Sequence, residues 1–429
     1  MNLEEEVKYA GDMVHRLKKD NIVRIIGHVD ADGISSASIV AISLARLGYK
    51  FHISIKRTSP NLIDEISKGE NALTIFVDIG TSYLKEMNKI KGDVIVLDHH
   101  LIENDETRDI EDIIYINPRK YGIDASKEGS ASCIAYEFAK AIDKNNIDLS
   151  QLAVVGMIGD KQKFTGLNKK IVEEGIGNGF ISEKEQYLLR GGCIKEMIDN
   201  SIDPYFVFNS THFLNSISIK PESKLNDLNE EERKRFFSAL TLKMIEQNVE
   251  EIEWKRIQYY GKEYGNLHDM ASKLDACARL NEAGVGIALC FRDKNAQDKA
   301  KMIQEKYRDE IRKELKEIEK KEVNEMKNFL YIYVNHAPLA GVIAGLSLKY
   351  IPKFKKGKPV VAIAVNDDAS ISARGNDRMV ENGINLGKAF KIAAEKVGGI
   401  GGGHQIAAGA KIKKERLKEF LEELDKELG

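Results

Sequence analysis

Cysteine is scarce in this chain. Cys133, Cys193, Cys277 and Cys290 are scattered and never fall in a CxxC pair. That spacing excludes a zinc ribbon and a disulfide framework, and it predicts reduced, mostly buried thiols. An excess of either charge is also missing: 65 Lys and Arg face 67 Asp and Glu, for a net charge of -2. No global field advertises a nucleic-acid binder, so any basic surface must be local. No apolar run approaches the roughly 18 residues that span a bilayer. The N-terminus, MNLEEEVKYAGDM, is acidic and amphipathic and lacks an apolar signal core. A cytoplasmic protein without a membrane segment is expected. Glutamine is sparse beside abundant Lys, Glu and Ile, a composition that fits a heat-adapted source. There is no repeat of fixed period and no low-complexity tract.

What is present is globular. The 429 residues, 42% hydrophobic and 31% charged, suffice for two or three domains with real cores. Up to about residue 160, short apolar runs alternate with helical patterns. Strands are predicted at Ile22–Gly27, Phe51–Ile55, Leu73–Asp78, Asp93–Asp98 and Ile113–Asn117, and helices at Ile34–Leu47, Asn61–Lys68, Ser130–Ile142 and Leu152–Gly159. Strands apolar throughout, with helices between them, indicate a parallel sheet covered on both faces. The middle reads as mainly helical and irregular. Its charged end, Asp298–Lys327, has Glu and Lys at i,i+4 spacing and predicts one long solvated helix. A second, smaller α/β pattern begins at Phe329. The expected organisation is an N-terminal α/β domain over 1–180 with a mainly parallel sheet, a helical connector over 181–325, and a C-terminal α/β domain over 326–429.

Carboxylates and imidazoles fall at telling places. His28, Asp30 and Asp32 follow the first strand in GHVDADG. Asp78 ends the third strand in FVDIG, and Asp98, His99 and His100 end the fourth in VLDHH. Asp160 follows an apolar helix in GMIGD. In an open parallel sheet the C-terminal strand ends line one edge, where ligands bind. Crowded carboxylates repel one another and resist desolvation, and no nearby run of Lys or Arg offers to neutralise them. Divalent cations would. Oxygen donors mixed with imidazole suit manganese or magnesium better than zinc. A carboxylate between two ions about 3.5–4 Å apart is suited to activating water for in-line displacement at phosphorus. A lone DxDG is usually a turn or a helix cap, and a lone Asp after a strand is usually a cap. DHH at a strand end is harder to explain structurally, and the four pieces in this order make the bland reading untenable.

These four pieces resemble the motifs of the DHH phosphoesterase superfamily. GGGHQIAAGA, Gly401–Ala410, looks like the glycine-rich motif of its accessory DHHA1 domain, and ISARG, Ile371–Gly375, like the serine–arginine motif before it. DACARLNEAG, Asp275–Gly284, is similar to a connector motif of RecJ-type nucleases. Within the superfamily the chain looks most like archaeal RecJ-like exonucleases, including the GINS-associated nuclease. The resemblance implies two manganese ions, with magnesium as a substitute, held by Asp30, Asp32, Asp78, His99 and Asp160, Asp78 bridging. His100 would contact the scissile phosphate, and Asp98 would orient a histidine. Many relatives carry a metal-binding histidine four residues before the first Asp of the DxD pair, where this chain has Ile26. His28, two before, either takes over as ligand or lines the site; ligation is the reading adopted.

The resemblance further implies that the second domain grips substrate through Ser372, Arg374, Gly402, Gly403 and His404. A bidentate arginine and a glycine nest of backbone N–H groups both suit phosphate. Arg279 is either a phosphate contact or half of a structural ion pair. Asn117, in an NPR turn, reads as a turn residue. The expected activity is a manganese-dependent exonuclease acting on single-stranded DNA or RNA in a cleft between two α/β domains. One alternative is a phosphodiesterase for short oligonucleotides or cyclic dinucleotides, or a pyrophosphatase. An alternative of another class is a Cdc45-like replisome scaffold binding GINS, whose signature, loss of acidic positions, is absent here.

Overall fold

The structure, a computed structural model, describes residues 2–59, 61–101, 113–189, 191–249 and 252–429. The chain opens with α1 (Leu3–Arg16), started by a reciprocal capping box between Asn2 and Glu5. Then come β1 (Ile22–His28), α2 (Ala31–Arg46), β2 (Lys50–Lys56), α3 (Leu62–Ile66), β3 (Glu70–Val77), β4 (Lys91–Leu97), β5 (Ile113–Ile116), α4 (Ala131–Ile142), α5 (Ser150–Gly159) and α6 (Gly166–Gly177). Next are β6 (Ile181–Tyr187), α7 (Ile194–Asp199), α8 (Ser210–Ser216), α9 (Glu230–Glu246), β7 (Lys255–Gly261), β8 (Gly265–Asn266), α10 (Leu267–Arg279), α11 (Ala283–Cys290) and α12 (Lys294–Lys320). The last stretch holds β9 (Asn324–Glu325), β10 (Leu330–Tyr333), α13 (Ala340–Tyr350), β11 (Val360–Val365), β12 (Asp368–Arg374), α14 (Asp377–Glu381), α15 (Leu386–Lys396), β13 (Ile400–Gly403), β14 (Ala407–Lys413) and α16 (Leu417–Glu427).

Two compact units result. The first comprises 1–185 and 257–305, the second 186–256 and 306–429. The chain passes between them within β6, at the start of β7 and within α12. Of the stretch 181–325, therefore, part belongs to each unit.

In the first unit β2-β1-β3-β4-β5 form one parallel sheet. Its apolar strands are covered on both faces, as parallel strands require. Val23, Ile25, Ile75 and Ile95 pack among α1, α2, α4, α5 and α10. Ile26, Phe76 and Val96 point the other way, into a smaller core with Leu62, Ile66, Leu84 and Met87. Register fixes the working edge: Gly27 pairs with Val77, and Val77 with Leu97. His28, Asp78 and Asp98 therefore leave the sheet from one level.

The second unit is built on a mixed sheet, β13-β14-β12-β11-β10-β9, in which only β10 and β11 run parallel. One face carries Ile371, Ala373 and Val361 against Phe390 of α15 and Phe420 of α16.

Two expectations need correction, and the middle of the chain, mainly helical, also holds β6, β7 and β8, which form a further small sheet. Their charged sequences, ISEKEQY and KRIQYYG, lack the apolar run that marks a buried strand. The charged stretch near 300 is a helix, α12, but it is not solvated all round. Ala296, Ala300, Tyr307, Ile311, Leu315 and Ile318 are buried, a stripe at helical spacing among the charges. The glycine run 401–403 is the extended strand β13 and not a curled nest. Among the described residues, no helix is long and apolar enough to cross a membrane.

Candidate metal centre

The turn after β1 begins the site. Asp30 caps α2, its Oδ1 accepting from Gly33 N at 2.9 Å, while its Oδ2 lies 2.7 Å from His28 Nδ1. The cap and the acidic wall are one side chain. Gly33 is obligatory, since a Cβ there would stand 2.3 Å from the His28 carbonyl oxygen.

Asp32, in the first turn of α2, is buried at 2% exposure. Its carboxylate accepts from the backbone N–H groups of Ala131 and Ser132, at 2.9 and 3.1 Å. These are orphan donors at the start of α4, where a carboxylate is welcome. The two glycines of GMIGD make the approach possible. A Cβ on Gly156 would meet Ser132 Oγ at 2.2 Å and Asp32 Oδ1 at 2.3 Å, and one on Gly159 would meet the Ala31 Cβ at 2.5 Å. Close packing of α5 on α2 delivers Asp160, the residue after α5, to the same place.

Asp78 adopts φ +58°, a left-handed conformation uncommon outside glycine and characteristic of functional turns. Its Oδ2 lies 3.4 Å from His28 Nδ1 and its Oδ1 3.3 Å from His99 Nε2, so it stands between the two. His99 directs Nδ1 to the Ala125 carbonyl at 3.0 Å and leaves Nε2 facing Asp78 and Asp160, the latter at 3.8 Å. Arg119 Nε donates to the His99 carbonyl and Asn117 Nδ2 to the His100 carbonyl, each at 3.0 Å. Asn117 also accepts from Arg119 N at 3.0 Å, as a turn residue does.

Three groups of side chains place ligand atoms within 4.8 Å of one another: Asp78, His99 and His100; His28, Asp30 and Asp78; Asp32, His99 and Asp160. Asp78 and His99 each belong to two groups. Among the described residues no Lys or Arg pairs with these carboxylates; their ionic partners are the histidines. Protons show the strain. Burial works against the His28 cation, yet Asp30 and Asp78 outweigh it and hold the imidazole well above its ordinary value. Burial likewise opposes the His99 cation, and Asp160, Asp78 and Asp32 together hold it well above. Burial, then Asp78 and Asp160, push Asp32 well above the carboxylate range. Burial pushes Asp160 up as well, against His99, with Asp78 and Asp30 adding to it. A partly buried cluster of acids whose ionic partners are histidines, with mixed oxygen and nitrogen donors, fits divalent cations, which would take the place of those protons.

The structure thus gathers His28, Asp30, Asp32, Asp78, His99, His100 and Asp160, with Asp98 bound behind His100. Arg279 is the last residue of α10. Its Nε lies 2.9 Å from both carboxylate oxygens of Asp275, one turn earlier. Ser372, Arg374, Gly402, Gly403 and His404 belong to the second unit. Ser372, Gly409 and Gly402 occupy one register row across β12, β14 and β13. Arg374 lies over α13, where a Cβ on Gly341 would come within 2.6 Å of Nη2. His404 starts the turn between β13 and β14, and its carbonyl accepts from Gly387 N at 3.0 Å, at the start of α15. Gly401 and Gly403 are closely packed, whereas a Cβ on Gly402 would meet nothing within 4 Å. A Cβ on Gly401 would meet the Phe390 carbonyl oxygen at 2.5 Å. At Gly403, with φ +143°, one would meet that of Ala407 at 2.4 Å.

Thr81, Asn168 and Gln162, which support the site, carry no signal that sequence alone makes readable. Neutral side chains have no metal-ligand signature, and only their nearness to Asp78 and Asp160 along the chain hints at a role for Thr81 and Gln162.

Comparison with known proteins agrees with this architecture. Residues 22–159 match the DHH family, N-terminal domain, and residues 327–429 match the DHHA1 domain. An uncharacterized protein of Methanocaldococcus jannaschii is 31% identical over 424 residues, covering 95% of this chain and 93% of the relative. Among solved structures, RecJ of Thermus thermophilus in complex with Mn2+ is similar at TM-score 0.64 and 17% identity. The match covers 99% of this chain but 55% of RecJ, so the chain spans about half the length of that protein. CDC45 of Entamoeba histolytica is similar at TM-score 0.69 and 13% identity, covering 100% of this chain and 99% of CDC45. At such identities the structural likeness establishes the fold.

Proposed function

Because this chain belongs to the DHH family and carries a DHHA1 domain, we propose that it is a manganese-dependent phosphoesterase that hydrolyses single-stranded DNA or RNA as an exonuclease. The observation that carries the reading is the convergence of four separated sequence segments on one partly buried acidic and imidazole site. When bound there, divalent cations supply positive charge to the phosphate and lower the pKa of an attacking water.

The chain's own groups do the rest. Asp30, Asp32, Asp78, His99 and Asp160, with His28, hold the cations. His100, its Nδ1 engaged by Asp98 at 2.6 Å, donates from Nε2 to a phosphate oxygen as charge develops there. Asp98 keeps that imidazole oriented and, against burial, favours its cation. Arg374, Ser372, Gly402, Gly403 and His404 bind backbone phosphates of the strand. Single-strand preference is part of this reading: Asp32, Asp78 and His99 are at most 5% exposed, a recess that a flexible strand enters more easily than a stiff duplex.

The test is digestion of end-labelled single-stranded DNA and RNA, about two to thirty nucleotides long, with Mn2+, Mg2+ or EDTA, beside an Asp78→Ala control. Activity with Mn2+ on longer strands, lost with EDTA and in the variant, supports the proposal. Cleavage confined to the shortest substrates would point to an oligonucleotide or cyclic-dinucleotide phosphodiesterase. Inactivity of the wild type with every metal would favour a scaffold of the CDC45 kind, with GINS as the partner to seek by co-purification.

A further inference from the structure

Gln162 is buried, uncharged and takes no part in the chemistry above. Its Nε2 lies 2.9 Å from Asp160 Oδ2 and 3.0 Å from the Ala125 carbonyl oxygen. The same carbonyl oxygen receives His99 Nδ1 at 3.0 Å. Asp160 and His99 both belong to the group completed by Asp32. One amide therefore ties together two of its three members.

The direction of that amide follows from two backbone groups. Gly129 N–H, which can only donate, lies 2.8 Å from Asn168 Oδ1, so that atom is the acceptor. Asn168 Nδ2 then donates to the Lys163 carbonyl at 2.8 Å, which can only accept, and to Gln162 Oε1 at 3.0 Å. With Oε1 used as an acceptor, the other end of Gln162 is its NH2, with one hydrogen for the Asp160 carboxylate and one for the Ala125 carbonyl. Polarity thus runs from the Gly129 amide through Asn168 and Gln162 to Asp160.

We propose that Gln162 is a positioning residue for the Asp32–His99–Asp160 group, an inference that rests on the metal-dependent reading above. It donates to Asp160 Oδ2 and holds that carboxylate in one orientation. It also fixes the carbonyl that takes the Nδ1 proton of His99, so that His99 Nε2 is the atom offered to a cation. Partners behind metal ligands change metal affinity by about 10–100-fold when removed.

The test titrates metal-free protein with Mn2+ by calorimetry and by electron paramagnetic resonance, in the wild type, Gln162→Leu and Gln162→Asn. Melting in EDTA checks the fold of each. Asn keeps an amide but is one methylene too short to reach Asp160, and it decides the matter if the Leu variant does not fold. The expected result is two classes of site in the wild type, one of them weakened about 10–100-fold in either variant and the other unchanged, with melting in EDTA preserved. Unchanged affinities in a folded variant would overturn the inference alone, as would equal weakening of both classes together with a lower melting temperature. A wild type that takes up no Mn2+ would overturn it together with the metal-dependent reading.

Discussion

Asp98 Oδ1 lies 2.6 Å from His100 Nδ1, and the same oxygen accepts from the backbone N–H of His99 at 2.8 Å. The other oxygen, Oδ2, accepts from both the N–H and the hydroxyl of Thr81, at 2.9 and 2.7 Å. Burial alone would raise this carboxyl, but His100, His99 and these donors outweigh it and hold it far below the usual range. Asp98 is therefore a fixed anion that sets the orientation and charge of its neighbour two residues on. Replacing it with Asn keeps the shape and removes the charge. The Asp98→Asn variant should lose about 10–100-fold in kcat, with Mn2+ affinity nearly intact. Steady-state digestion of a labelled oligonucleotide, beside a metal titration, checks the split.

Gly156→Ala places a methyl group on Ser132 Oγ and Asp32 Oδ1. Neither neighbour can retreat without straining its hydrogen bonds, because both are buried. A loss of about 1–3 kcal/mol of stability is expected, together with weaker Mn2+ binding, because the displaced carboxylate belongs to the site. Chemical denaturation in EDTA and a metal titration measure the two effects separately.

Gly403→Ala in β13 meets a different obstacle. Its φ of +143° and the Ala407 carbonyl oxygen both oppose a side chain, so about 1–3 kcal/mol should be lost. The affinity of the first unit for Mn2+ should not change. Denaturation and calorimetry on the same preparation check both halves.

Much of the candidate metal centre was legible in the chain. Apolar runs such as IVRIIG and DVIVLD identify buried parallel strands, and the ladder then carries the residues after each strand to one edge. His28, Asp78 and Asp98 needed no further information. Asp160 was less direct, because its place depends on how closely α5 approaches α2, a distance set by Gly156 and Gly159. The strand β13 was hidden because glycine gives no alternation to read. The buried stripe of α12 was masked by the charges around it. Gln162 and Asn168 could not be recognised, since a neutral amide has no ligand signature and two of their partners, Ala125 and Gly129, lie far off in sequence.

Cysteine chemistry gives a pH-dependent prediction. All four thiols are free, and Cys133, Cys277 and Cys290 are buried. Burial pushes Cys277 and Cys290 up to about 12. Alkylation requires the thiolate, and at pH 8 a thiol with that value is ionised to only about one part in ten thousand. Iodoacetamide at pH 8 should modify Cys193 in the native protein, and all four cysteines in urea. Peptide mass spectrometry reads the outcome, and early labelling of Cys277 or Cys290 would contradict the packing described here.

The most direct measurement is an anomalous difference map from crystals grown with Mn2+. Two peaks are predicted among His28, Asp30, Asp32, Asp78, His99 and Asp160, with Asp78 touching both. Crystals that leave these side chains without manganese, bound instead only to one another or to lysines, would contradict the account.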